Sequence, residues 1–63
     1  MYYEGLRKAM KEKGDTQQDL AFLLGLKWGQ SVNERINKRR DWRELEIQYC
    51  CNRYGKSRKE LGF

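Results

Sequence analysis

The sequence contains no histidine, only two cysteines, few strand-favouring residues and no apolar run longer than Leu20 to Leu24. Without histidine, and with no third or fourth cysteine, the chain lacks the ligand set of a structural zinc site. The usual base that activates a nucleophilic thiol is missing as well. Cys50 and Cys51 are neighbours, and vicinal cysteines rarely bridge each other, so they read as reduced thiols, one filling a core position and the other at its edge. A five-residue apolar run is far too short to cross a bilayer. The opening "MYYEGLRKAM" has neither the apolar stretch nor the small-residue cleavage site of a secretory signal, which makes the cytoplasm the expected compartment. With 63 residues the chain makes one domain, residues 1–63, around one small core, too small to enclose a substrate pocket. No enzyme, metal or cofactor is therefore expected.

Charge and aromatic residues are plentiful by contrast. Lys and Arg outnumber Asp and Glu by 14 to 9, giving a formal net charge of +5, and eight aromatic residues are enough to build a core. The excess is concentrated. Six positive side chains, Lys27, Arg35, Lys38, Arg39, Arg40 and Arg43, lie between Lys27 and Arg43 against Glu34 and Asp41 alone, a distribution that invites a polyanionic partner.

Helical spacing recurs along the chain. Tyr3, Leu6 and Met10 predict a helix over 2–13 that Gly14 ends. Thr16 with Asp19 predicts an N-terminal cap for a short second helix with Leu20, Leu23 and Leu24 on its inner face. A third helix is expected over 29–37, anchored by Val32 and Ile36 with Leu26 beside it. Asp41 and Glu44 form a D-x-x-E cap for a fourth, which carries Trp42 in its first turn and Ile47, Cys50, Cys51 and Tyr54 as its inward stripe before Gly55. Ser57 and Glu60 suggest a last capped turn laying Leu61 and Phe63 over the core. The fold class that follows is all-α, a compact bundle of four to five short helices. Helices two and three, joined tightly at Gly25 with the small Ala21 between them, have the pattern of a helix-turn-helix.

The motifs "LRKAMKEKGDTQQDLAFLLGL", "ERINKRRDW" and "RYGKSRKEL" occur in the order and near the separations of a known family. The chain resembles the phage repressor and Cro-like (XRE) helix-turn-helix DNA-binding proteins over essentially its whole length. The resemblance implies a lambda repressor-like domain acting as a transcriptional regulator of a phage or mobile element. Its partner would be double-stranded DNA, bound by a homodimer on a palindromic operator, and its place the cytoplasmic nucleoid. Gln17 aligns with a glutamine that donates to a phosphate from the start of helix two. Gln30, Ser31 and Glu34 align with groove-facing positions, with Asn33 their neighbour; Gln can pair with adenine and Glu can accept from cytosine. Arg39 and Arg40, just past helix three, are expected to clamp the sugar-phosphate backbone, with Lys38 and Arg43 adding contacts.

Two features depart from the family pattern. The turn "LKWGQS" is one residue longer and has no Ser or Thr cap, and Lys38 stands where a glycine is common, so Asn37 or Lys38 must take the helix-ending conformation. Trp28, at the mouth of helix three, either anchors the longer turn in the core or is exposed toward a thymine methyl or a partner protein. The dimer surface is expected at the C-terminal "LGF" or at Trp28. The rival reading is a protein-binding module, an antirepressor or an inhibitor of a host protein, with Trp28, Tyr2 and Tyr3 as aromatic anchors.

Overall fold

Caps and left-handed residues divide the chain into five helices, and the computed structural model describes residues 2–63. They are α1 (Glu4–Lys13), α2 (Gln17–Leu23), α3 (Gly29–Ile36), α4 (Glu44–Tyr54) and α5 (Arg58–Leu61). No strand occurs among the described residues. Helix α1 begins two residues later than its periodicity suggests, because Tyr3 turns left-handed at φ 54°. It ends at Gly14, whose φ of 81° suits a residue without a side chain. The capping box of α2 forms as expected: Thr16 Oγ1 accepts from Asp19 N at 3.1 Å and Asp19 Oδ2 accepts from Thr16 N at 3.0 Å. Ser57 and Glu60 cap α5 in the same way.

The core is made of Leu6, Ala9 and Met10 from α1, Leu20 and Ala21 from α2, Val32 and Ile36 from α3, Cys50 from α4 and Leu61 from α5. Burying an aliphatic side chain of this size contributes about 1.5–3 kcal/mol, so helices too short to persist alone are held by one shared interior. Three expected positions are corrected. Leu23 is on the exposed side of α2, and Ala21 is buried beside Leu20 where α2 lies against α3. Ile47 is only half-buried, because the inward face of α4 runs through Glu46 and Cys50. The cap of α4 is not Asp41 with Glu44. The helix starts later, and Glu46 Oε1 accepts from Arg43 N at 2.9 Å, while Trp42 stands before the first turn and turns inward.

Two networks tie the helices together. Arg35, counted above among the basic residues, is buried and pairs with buried Glu46: Nε to Oε1 is 3.0 Å and Nη2 to Oε2 is 3.3 Å. Asp15, between α1 and α2, accepts from Arg53 Nε at 2.7 Å, Arg53 Nη2 at 2.8 Å and the Tyr54 hydroxyl at 2.8 Å. The Arg53 hydrogen bond, helped by that of Tyr54, holds the Asp15 carboxyl below its ordinary range, although burial works against it. A carboxylate with a depressed folded-state pKa contributes stability that is complete above its unfolded pKa and is lost as pH falls through the folded value. Asp15→Asn is therefore expected to destabilise the domain at neutral pH and to make the acid limb, below about pH 5, shallower than in the parent. Thermal unfolding of the two proteins across pH is the measurement; parallel acid limbs would contradict it.

Candidate nucleic-acid interface

The candidate surface is built on α3 and the turn that follows. Val32, Arg35 and Ile36 face the interior, which leaves Gln30 exposed and Ser31, Asn33 and Glu34 half-exposed. Helix α2 holds this helix at two places. Asn33 Nδ2 donates to Gln17 Oε1 at 3.2 Å, and Gly29 N donates to Gln18 Oε1 at 2.9 Å. Asn33 is also engaged from behind, since Asn37 Nδ2 donates to its carbonyl at 2.9 Å and to its Oδ1 at 3.3 Å. It braces α3 against α2, and Gln30 is the amide on this surface left without a protein partner.

Trp28 precedes α3 in extended conformation and makes no side-chain cap. Its ring is 63% exposed with the Lys27 ammonium 5.6 Å from its centroid, which decides between the two expectations for it: the longer turn is not anchored in the core by tryptophan. Leu26 is the turn residue that packs against the core, and Gly25, at φ 76°, reverses the chain.

Beyond α3, Lys38 rather than Asn37 takes the left-handed conformation, with φ 59°. Its ammonium lies over the rings of Tyr2, at 4.8 Å, and Tyr3, at 5.9 Å, a cation-π contact that offsets the backbone cost of a non-glycine residue there. Arg39 and Arg40 are exposed, and Arg40 Nε is 3.6 Å from Glu34 Oε1. Arg43 is exposed too, its backbone N–H fixed by Glu46. The turn is anchored at Trp42, which meets Phe63 edge-on with centroids 5.2 Å apart and Tyr3 at 6.1 Å. Tyr3 and Phe63 close the cluster at 5.5 Å. In the C-terminal "LGF", Leu61 is buried and Phe63 half-buried in this packing.

No family model matches the chain, and neither a curated protein nor a solved structure does. The candidate surface is therefore characterised by its own chemistry.

That chemistry is a row of hydrogen-bonding side chains flanked by guanidiniums. Because Arg35 is neutralised inside, five cationic side chains of the segment remain outward, all but Lys27 in the turn after α3. Among the described residues no group of three His, Cys, Asp or Glu side chains comes together to hold a metal. The Cys50 thiol is pushed up to about 12, chiefly by burial, which makes it a packing group. Elsewhere the surface carries an apolar area. Phe22 is 79% exposed and Leu45 78%, and Leu23 links them by lining both the depression beside Phe22 and the one beside Leu45 and Tyr49. Gln18, Arg35 with Glu46, and Asp15 with Arg53 are the organising residues that sequence reasoning did not identify.

Proposed function

We propose that the protein is a sequence-specific DNA-binding regulator of the repressor or Cro type. Helix α3 enters the major groove with Gln30 and Glu34 toward the bases, and Arg39 and Arg40 hold the phosphate backbone beside it. The observation that carries this reading is the adjacency of an outward polar helix face to exposed arginines on a turn anchored by Trp42. A groove-reading surface needs both parts, since phosphate contacts position a helix and only base-edge contacts discriminate. Gln17 keeps its amide N–H groups for a phosphate, because its oxygen is taken by Asn33. Lys38, stacked on two tyrosines, and Arg43 lie at the edge of this footprint. A helix this short reads few base pairs, so a homodimer on a palindromic site accompanies the proposal.

Arg39→Ala and Arg40→Ala are each expected to weaken binding nearly uniformly across DNA sequences and to reduce the salt slope of log affinity by about one unit. Gln30→Ala is expected to cost about 1–3 kcal/mol on the best site and little on random DNA. Titrations at several salt concentrations, on a selected site and on scrambled duplex, check both. An unchanged slope for the arginine variants together with equal Gln30→Ala losses on both duplexes would end the reading.

A second reading, a protein-binding module, is favoured by one observation: large apolar side chains, Trp28 and the Phe22, Leu23 and Leu45 area, face solvent. Trp28→Ala separates the two. It is expected to change thermal stability by less than about 1 kcal/mol, as for surface replacements generally, whichever reading holds. Loss of DNA affinity in a fully folded Trp28→Ala protein marks a DNA contact. Retained affinity with loss of a partner protein marks the module.

A further inference from the structure

We infer that Gln18 is a positioning residue for the DNA-reading helix: from α2 it caps the first turn of α3 and sets the register in which Gln30 and Glu34 are presented. This rests on the regulator reading and adds a residue that contacts neither base nor phosphate.

A helix start leaves its first backbone N–H groups unpaired, and a Ser, Thr, Asp or Asn just before it ordinarily supplies an acceptor. Helix α3 is preceded by Trp28, whose side chain has no acceptor to offer. The Gly29 N–H is instead satisfied by Gln18 Oε1 at 2.9 Å, eleven residues back in the chain and on another helix. A cap within the same helix fixes only where that helix begins. This one also fixes where it begins relative to α2.

The backbone spacing supports the same role. A β-carbon on Gly29 would stand 3.1 Å from Gln18 Oε1 and 3.2 Å from both Gln18 Cα and Gln18 N, so the two helices meet here almost backbone to backbone. Glycine leaves the amide open to a side chain arriving from α2. The second tie, from Asn33 Nδ2 to Gln17 Oε1, lies one turn further along α3. Two ties about a turn apart define both the position and the rotation of a rod. Loss of the first would leave the first turn of α3, ahead of buried Val32, free to fray, carrying Gln30 with it, since Gln30 is the residue next to Gly29.

The test compares Gln18→Ala, which removes the acceptor, with Gln18→Glu, which keeps it and adds a charge favourable at a helix N-terminus. Amide exchange of Gly29 in the free protein and discrimination between a selected site and scrambled DNA are both read well below the melting temperature. In Gln18→Ala, Gly29 exchange is expected to accelerate and discrimination to fall about five- to ten-fold, the scale of a lost cap. Binding to scrambled DNA and the salt slope stay as in the parent, whereas a merely structural role would lower specific and non-specific binding alike through the folded fraction. Gln18→Glu is expected to restore both protection and discrimination. Parental Gly29 exchange in Gln18→Ala overturns the inference, and so does parental discrimination. A parent protein that shows no sequence preference overturns it together with the regulator reading, and the parent's own titration tells that failure from the others.

Discussion

Gly5→Ala is expected to remove a large share of the domain's stability and to lower its melting temperature markedly. In an exposed helix interior this replacement usually stabilises by about 0.8–1 kcal/mol, because alanine is the better helix former. Here a β-carbon would stand 1.8 Å from the carbonyl oxygen of Glu60, 2.9 Å from its carbon and 3.0 Å from the Cα of Leu61, all backbone atoms that no side-chain rotation can move. Relief requires α5 to lift from α1. That movement withdraws Leu61, which is fully buried, and loosens Phe63 from the aromatic cluster. Removing one buried leucine from a core costs about 2–5 kcal/mol, against a total stability of roughly 3–9 kcal/mol for a chain this short. Circular dichroism melts of Gly5→Ala beside Lys8→Ala, an exposed control on the same helix, check this. A variant as stable as the parent would mean that α5 does not seat on α1 as described.

Arg35→Met is expected to cost about 3–5 kcal/mol, the scale of a buried ion pair that has lost one member. Glu46 would be left in the interior with only the Arg43 N–H as partner. The carbonyl of Ser31, which accepts from Arg35 Nη1 at 2.9 Å, would lose that donor as well. Arg35→Met combined with Glu46→Leu is expected to recover most of the loss, since well-packed apolar groups often replace an internal pair without penalty. Recovery should stop short by about 1 kcal/mol, because the Arg43 N–H then has no acceptor. Urea unfolding of the two single variants and the double variant measures the coupling directly. Additive losses would show the pair to be independent groups.

Much of the helical frame could be read from local chemistry. Thr16 with Asp19, Ser57 with Glu60, and the glycines at 14 and 55 act over three or four residues, so their effect is visible in sequence alone. Contacts between distant residues were not visible in that way. The Asp41 and Glu44 spacing matched a cap, yet the carboxylate that serves α4 is Glu46, which is drawn inward by Arg35 from another helix. A signal for this was present. Arg35 and Glu46 occupy inner-face positions, three after Val32 and four before Cys50, where a pair of opposite charges points to an internal bridge. Leu23 misled for the opposite reason, since a leucine at helical spacing is assigned inward although Leu20 and Ala21 are the buried residues of α2. Of the candidate site, the exposure of Gln30 was expected from its alignment with groove-facing positions, and that of Arg39 and Arg40 from their place in the turn past the third helix. The engagement of Asn33 by Gln17 and of Gly29 by Gln18 was not, since neither distance can be inferred before α2 and α3 are placed together.

The seating of α5 on α1 has a consequence for how the chain is made. Helix α1 packs on α5, which begins only at Arg58, so α1 leaves the ribosome before the surface it packs on exists. At a synthesis rate of roughly 5–20 residues per second, α1 waits for α5 while the intervening residues are added. Until then the inner face of α1 is exposed to chaperones and proteases, and a chain stalled before α5 would be recognised as unfolded although α1 to α4 had been synthesised.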